Sequence, residues 1–136
     1  MIFFDSSVLS WWLEGRDLPK DVHAFLADES RAISAVVRHE LVVGFSQRAE
    51  WPKASERLAS FNVLPFGARE ANVSAAIRAT SHPPKKKTAR PVWHRDAAIV
   101  ATAVTAPGVR MLVTGDEQMA GMAAALGVAS YLVTAP

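Results

Sequence analysis

Short apolar segments alternate with longer amphipathic segments along the chain. The short ones, rich in strand-forming residues, predict five strands, at residues 2–4, 31–33, 61–66, 110–114 and 128–132. The longer ones predict helices, at about residues 6–15, 20–28, 35–47, 52–60, 68–80, 96–106 and 117–126. Residues 85–93 are predicted to form a loop, because His82, Pro83 and Pro84 stop the helix before them. This alternation is typical of a parallel sheet with helices on both faces.

Acidic residues follow two of the predicted strands. Asp5 comes directly after the first strand, and Asp116 lies two residues past the apolar core of the fourth. Because open α/β sheets form their sites outside the carboxyl ends of the strands, we expect both side chains at the same edge. Asp96 begins the predicted helix 96–106. Each of the three aspartates also stands where a helix N-cap would, so capping alone explains each of them separately.

Glu40 is the acid that capping does not explain. Its i±3 and i±4 neighbours are Val36, Val37, Val43 and Gly44, which places it on an apolar helical stripe. An ionised carboxylate on a core-facing stripe is costly unless it is paired or binds a metal. An ion pair with a basic residue nearby in the sequence is the alternative, but none of those residues faces Glu40.

Convergence of the four acids would predict a particular chemistry. Like charges a few ångströms apart raise each other's pKa, and a hard divalent cation relieves the repulsion. A set of oxygen ligands suits Mg²⁺ or Mn²⁺. Such a cation binds phosphate oxygens, helps to generate hydroxide and stabilises the leaving oxygen. Asp5, Glu40, Asp96 and Asp116 therefore predict a site for phosphodiester hydrolysis.

Composition narrows the classes of protein that remain. A chain of 136 residues suits one domain spanning residues 1–136. Half of its residues are hydrophobic and 21% are charged, which predicts a folded globule and not a disordered chain. The lack of cysteine removes disulfides, Cys-ligated zinc and thiol nucleophiles from consideration. Without a visible signal peptide or an apolar run near the roughly 20 residues of a membrane span, we expect a cytoplasmic protein with no membrane contact.

Cationic residues are concentrated in one segment, although the net charge is only +2. Residues 71–95 contain no acid and include Lys85, Lys86, Lys87, Arg90 and Arg95. Taken alone, the segment fits a phosphate-binding edge and a solvated loop equally well. For a nuclease, these residues would steer RNA past an otherwise repulsive acidic pocket.

Four segments carry the acids in the order in which a known family carries its own. They read IFFDSSVL at residues 2–9, ISAVVRHELVVG at 33–44, DAAIVATA at 96–103 and LVTGD at 112–116. VLPF at residues 63–66 adds a middle strand. Together they resemble the PIN domain, specifically the toxin ribonuclease of a VapBC-type toxin–antitoxin pair. Each motif is short, but four in register, each with its acid, form a specific signal.

The resemblance implies a three-layer α/β/α domain with a central parallel sheet. It also implies a Mg²⁺- or Mn²⁺-dependent endoribonuclease site at the four acids, with RNA as substrate, a cognate antitoxin that blocks the site, and a homodimer. Thr114 matches a hydroxyl residue that the family places beside the site, and we expect it, together with Ser6, to support the acids. Ser7 stands where relatives often have Asn. Gln118 and Met119 replace an acid and an aromatic residue, which puts a fifth acidic contribution in doubt.

Other functions on the same scaffold make different demands. A non-catalytic module that binds RNA or protein is the main alternative, because fold does not settle function. A phosphotransfer receiver domain would need adjacent carboxylates after the first strand and a lysine after the last, whereas Ser6 follows Asp5 and no lysine follows Lys87. A base-stacking platform at Trp11 and Trp12 is disfavoured, since adjacent helical residues point in different directions; core or interface packing is predicted instead.

Overall fold

The computed structural model describes residues 1–81 and 83–136, and the elements below are those of these residues. The strands are β1 (Ile2–Phe4), β2 (Arg31–Ser34), β3 (Asn62–Leu64), β4 (Met111–Thr114) and β5 (Ser130–Leu132). The helices are α1 (Ser6–Leu13), α2 (Lys20–Leu26), α3 (Ala35–Phe45), α4 (Trp51–Leu58), α5 (Ala68–Thr80), α6 (Arg90–Thr105) and α7 (Glu117–Ala125). A 3₁₀ turn spans Lys87–Ala89. His82, predicted to help end α5, lies outside the described residues.

The strands form one parallel sheet in the order β3-β2-β1-β4-β5. The chain first moves outward from β1 to β3, then crosses to β4 and continues to β5 on the other side. Parallel crossover connections are right-handed. The helices that connect β1 to β3 therefore pack on one face of the sheet, and those that connect β4 to β5 pack on the other. The predicted three-layer α/β/α fold is therefore confirmed. Strand order reverses between β1 and β4, which is where ligands bind in sheets of this kind.

The central strands are apolar because both of their faces are covered. Phe3, Phe4, Ile33, Leu112 and Val113 are all fully buried. Continuous apolar runs of this kind are expected in a parallel sheet, in contrast to the alternating pattern of a half-exposed antiparallel one. In the part of the chain that the structure describes, no helix combines the length and apolar character needed to cross a membrane.

The main error in the predicted elements concerns the segment before Asp96. Residues 85–93 were expected to be a loop, but α6 begins at Arg90, six residues before Asp96. Pro91 lies in the first turn of α6, where its missing N–H has no helical partner to lose. The third strand is also shorter than predicted, since Pro65 follows β3 and cannot donate to a neighbouring strand.

Candidate active site

Neighbouring parallel strands bring two of the acids to one edge of the sheet. Phe4 of β1 pairs with Val113 of β4, so both strands end at the same level. The backbone N–H of Asp5 continues this pairing by donating to the carbonyl of Val113 at 3.3 Å. Asp5 and Asp116 thus follow adjacent strand ends, as the sequence predicts.

Asp5 is buried and held from several sides. Its Oδ2 accepts a hydrogen bond of 2.7 Å from Thr114 Oγ1, and its Oδ1 accepts one of 2.7 Å from Ser7 Oγ. Oδ1 also accepts from the backbone N–H of Val8 at 3.4 Å, so Asp5 is the N-cap of α1. Burial raises the pKa of Asp5, the hydrogen bonds oppose this, and the charge of Asp116 adds to the rise. The capping role and the predicted site position therefore coexist in one residue.

Asp116 caps α7 and is linked to Asp5 through one hydroxyl group. Its Oδ1 accepts from the backbone N–H groups of Gln118 at 2.8 Å and Met119 at 3.2 Å. Its own N–H donates to Thr114 Oγ1 at 3.0 Å, and that hydroxyl in turn donates to Asp5. Thr114, which is fully buried, therefore fixes the relative positions of the two aspartates.

Asp96 lies inside α6 and does not cap it, contrary to the prediction that it begins a helix. Only 1% of its surface is exposed, and neither of its carboxylate oxygens has a hydrogen-bond donor. Burial, followed by the charge of nearby Asp116, raises the pKa of Asp96 to about 7. Asp96 is thus the acid least explained by local structure.

Glu40 projects from α3 into the same region. Ser6 Oγ donates to its Oε2 at 2.9 Å, and Arg95 Nη1 lies 3.5 Å from the same oxygen. Its other oxygen, Oε1, is buried without a hydrogen-bond partner. Burial raises the pKa of Glu40, and the charge of Arg95 is the leading opposing influence. The ion pair thus comes from a distant helix, not from a basic residue nearby in the sequence.

The predicted stripe around Glu40 is wrong in part. Val43 is 64% exposed, and Gly44 is exposed as well. The core face of α3 consists of Val37, Leu41 and Phe45. Glu40 lies beside this face and meets the other acids at the carboxyl edge of the sheet, with 20% of its side chain exposed.

The four acids form one electrostatic cluster. Asp5 interacts with Glu40, with Asp96 and with Asp116, and Asp116 also interacts with Asp96. The donor set consists of oxygen atoms, and three buried oxygens of Glu40 and Asp96 have no hydrogen-bond partner, which fits a hard divalent cation. No three acidic or histidine side chains of residues 1–81 and 83–136 stand as a group that could hold a metal ion. The donor chemistry suits a cation, whereas a complete coordination shell is not preformed.

The predicted cationic residues divide into two groups. Lys85, Lys86, Lys87 and Arg90 are exposed near the start of α6. Arg95 contacts the acids: its guanidinium lies 3.5 Å from Glu40 and 4.0 Å from Asp96. Among the predicted cationic residues, Arg95 is therefore the one whose contact with the acids the structure describes.

Two further residues shape the site, and the sequence did not single them out for it. Ser7 Oγ donates to Asp5 and accepts from the N–H of Gly115 at 3.0 Å, which ties α1 to the end of β4. The Trp11 ring lies across Gly115, so closely that a Cβ there would be 2.4 Å from the ring. Trp12 instead packs against Phe61. Ser7 and Trp11 lie one helical turn apart, a spacing that could have marked a shared face.

A groove elsewhere on the molecule lacks comparable chemistry. It has a volume of about 470 Å³ and lies at the amino edge of the sheet, between Ile2, Phe25 and Met111. Its polar lining is the ion pair of Asp28 and Arg110, whose nitrogen and oxygen are 3.4 Å apart. None of the four clustered acids lines this groove, so the carboxyl edge remains the candidate active site.

Comparisons with solved structures identify proteins of similar fold. A toxin–antitoxin complex from Klebsiella pneumoniae contains a chain with 25% sequence identity and a TM-score of 0.68, covering 88% of this chain and 90% of that one. FitAcB from Neisseria gonorrhoeae gives 26% identity and a TM-score of 0.65, with 96% of each chain covered. VapBC2 from Rickettsia felis, bound to a DNA fragment from its promoter, shares the fold at 15% identity. The TM-score is 0.67, and the match covers 98% of this chain and 99% of that one. No curated protein matches the sequence.

The sequence also matches a family described as the PIN domain, over residues 2–125. This match includes all four acids and every strand except β5. It confirms the resemblance drawn from the four acid-bearing segments. The chain belongs to the PIN domain family.

Proposed function

We propose that this protein is a divalent-metal-dependent endoribonuclease and the toxin of a type II toxin–antitoxin pair. PIN domains are generally nucleases, and the structural neighbours in toxin–antitoxin complexes support a toxin nuclease of the VapC type. The observation that carries the proposal is the cluster at the carboxyl edge. There, Asp5, Glu40 and Asp96 all have raised pKa values, and buried oxygens lack donors.

The chain's own residues divide the work of such a site. Asp5, Asp96 and Asp116, with Glu40, would hold Mg²⁺ or Mn²⁺, and the cation would supply polarisation of a phosphate and of an attacking water. Thr114 holds Asp5 and Asp116 in one orientation through its hydroxyl group. Support of this kind matters because metal affinity depends on the hydrogen bonds that orient each ligand.

The serines of α1 complete the support. Ser6 orients Glu40, and Ser7 orients Asp5. These contacts restrict the carboxylates before any substrate arrives, so less ordering remains to be done when substrate binds. Lys85, Lys86 and Lys87 are proposed to attract the RNA backbone from beside the pocket.

The partners follow from the proposed role. As a toxin, the protein would be held by a cognate antitoxin that covers the acidic edge, and it would act as a homodimer. The structural neighbours taken from toxin–antitoxin complexes support the antitoxin. A short gene beside the coding sequence, encoding a DNA-binding protein, is the expected genomic sign.

Cleavage of RNA by purified protein tests the function. Wild-type protein should cleave single-stranded RNA with added Mn²⁺ and lose the activity in excess chelator. Asp5→Asn should abolish cleavage. Asp28→Asn is the matched control, because it removes the same charge from an ion pair at the opposite edge of the sheet.

Three outcomes are informative. Cleavage by wild type and by Asp28→Asn, but not by Asp5→Asn, supports the proposal. Equal cleavage by all three proteins would contradict the assigned site. Metal-dependent RNA binding without cleavage would identify a non-catalytic binding module on the same scaffold. DNA of the same base sequence, tested in parallel, separates a ribonuclease from a general nuclease.

A further inference from the structure

Arg95 lies at the mouth of the acid cluster. It immediately precedes Asp96 on α6, and its side chain is 42% exposed. Its Nη1 lies 3.5 Å from Glu40 Oε2, and its Nε lies 4.0 Å from Asp96 Oδ1. A single guanidinium group therefore bridges two of the four carboxylates.

The bridge is held by charge and not by hydrogen bonds. Strong guanidinium–carboxylate pairs have N···O distances of about 2.7–2.9 Å and are often bidentate. Both contacts of Arg95 are longer, although Asp96 and Glu40 each have an oxygen without a donor. Arg95 thus neutralises part of the cluster without occupying its free oxygens, and its exposed head can leave without breaking a hydrogen bond to these acids.

We propose that Arg95 is a built-in counter-ion of the acid cluster, which is displaced by the divalent cation and then binds a phosphate group of the RNA. This inference rests on the proposed function. A guanidinium group and a divalent cation on the same carboxylates repel each other, so one weakens the binding of the other. Phosphate oxygens present two acceptors that match the planar fork of arginine.

The alternative role is structural. Arg95 on α6 and Glu40 on α3 join two helices. A contact of 3.2 Å between the hydroxyl groups of Ser34, which caps α3, and Thr102 of α6 also holds them together. If Arg95 mainly fastens these helices, its removal would loosen the cluster and weaken metal binding. A counter-ion has the opposite effect, because its removal makes the cluster more negative. The two roles therefore predict changes of opposite sign.

Calorimetric titration with Mn²⁺ of wild type and Arg95→Gln distinguishes them. We expect the dissociation constant for Mn²⁺ to fall by about two- to fivefold in Arg95→Gln, in the range of a half-exposed charge pair. The RNA concentration that half-saturates single-turnover cleavage should rise roughly tenfold, because one charged phosphate contact is lost. Arg110→Gln, which breaks an ion pair of 3.4 Å at the opposite edge, should change neither value.

Arg95→Lys provides a second test in case the glutamine variant folds poorly. Lysine keeps the charge but lacks the planar fork. Its Mn²⁺ affinity should remain close to that of wild type, while its half-saturating RNA concentration rises.

The outcomes distinguish failure of the role proposed for Arg95 from failure of the proposed nuclease function. Weaker or unchanged Mn²⁺ binding in Arg95→Gln, with normal binding in wild type, overturns the counter-ion role alone. An unchanged half-saturating RNA concentration overturns the phosphate-binding role. A wild-type protein that binds no Mn²⁺ contradicts the proposed function and this inference together.

Discussion

Replacing Asp96 with Asn should make the metal-free protein more stable at high pH. Burial, and then the charge of Asp116, raises the pKa of Asp96 from 3.8 to about 7. Between these two values the folded protein keeps a proton that the unfolded chain has released. The unfolded state then binds fewer protons than the folded state, so the free energy of unfolding falls as pH rises through this range. Above the folded-state pKa, the destabilisation caused by Asp96 is complete. Asparagine has similar shape but does not ionise.

The magnitude follows from the size of the pKa change. At about 1.4 kcal/mol per pH unit, a rise from 3.8 to about 7 corresponds to about 4 kcal/mol. Between roughly pH 5 and pH 8, about 2–3 kcal/mol of this loss should be observed. The difference between wild type and Asp96→Asn therefore reports the ionisation of Asp96 together with its electrostatic coupling to Asp5 and Asp116.

Urea unfolding in the presence of chelator, across that pH range, measures the effect. The free energy of unfolding of wild type should fall more steeply with pH than that of Asp96→Asn, and the variant should be the more stable protein at the alkaline end. Added Mn²⁺ should reverse the order there, because only the folded wild type offers the cation a complete set of carboxylates. Parallel curves for the two proteins in chelator would refute the burial of an ionisable carboxyl group at this position.

Three other substitutions test the parts around the cluster. Thr114→Val removes the donor to Asp5 and should weaken Mn²⁺ binding by about tenfold in calorimetry. Thr114→Ser keeps the hydroxyl group and should bind Mn²⁺ as the wild type does. An equal loss of affinity in both variants would contradict the role of the hydroxyl group. Gly115→Ala should lower the free energy of unfolding in urea by about 1–3 kcal/mol, because a Cβ would lie 2.4 Å from the Trp11 ring. The loss should be smaller in a Trp11→Leu background, and a loss of the same size there would exclude the ring as its cause. Replacing Lys85–Lys87 with serine should make RNA binding less sensitive to salt. The slope of the logarithm of the binding constant against the logarithm of salt concentration should flatten by about 0.7 for each phosphate contact removed. An unchanged slope would show that these lysines do not contact RNA phosphates.

Local pattern predicted the sheet edge well because strand ends are marked in the sequence itself. The apolar run of β1 stops at Asp5, and the run of β4 stops near Asp116, so both acids could be placed before the fold was known. Parallel pairing then brings them together without any further information. The PIN fold was predictable for the same reason, from short motifs in a fixed order.

The sequence does not predict the environment of Asp96, because α6 begins six residues earlier than the pattern indicates. The basic residues and the prolines before Asp96 are typical of a loop, but proline is also frequent in the first turn of a helix, where Pro91 lies. Starting α6 at Arg90 moves Asp96 from a cap into the buried interior of the helix. A capping aspartate accepts hydrogen bonds from backbone N–H groups, whereas Asp96 has no such donor and burial raises its pKa to about 7.

The surroundings of Glu40 depend on contacts between distant parts of the chain. Its partners Ser6 and Arg95 come from α1 and α6, which no helical period of α3 can reveal. The period also misplaced Val43, which is exposed, since an apolar residue on a helix need not face the core. The helical period therefore indicates that Glu40 is unusual but does not predict its contacts with Ser6 and Arg95.

A shared metal site is what would join the four acids to RNA cleavage. Titration of the wild-type protein with Mn²⁺ in a calorimeter, at a pH above the pKa of Asp96, tests it most directly when Asp96→Asn and Glu40→Gln are titrated alongside. We predict saturable binding in the wild type, loss of binding in Asp96→Asn and weaker binding in Glu40→Gln. Absence of binding in the wild type, or equal affinity in all three proteins, would contradict a metal site formed by these acids.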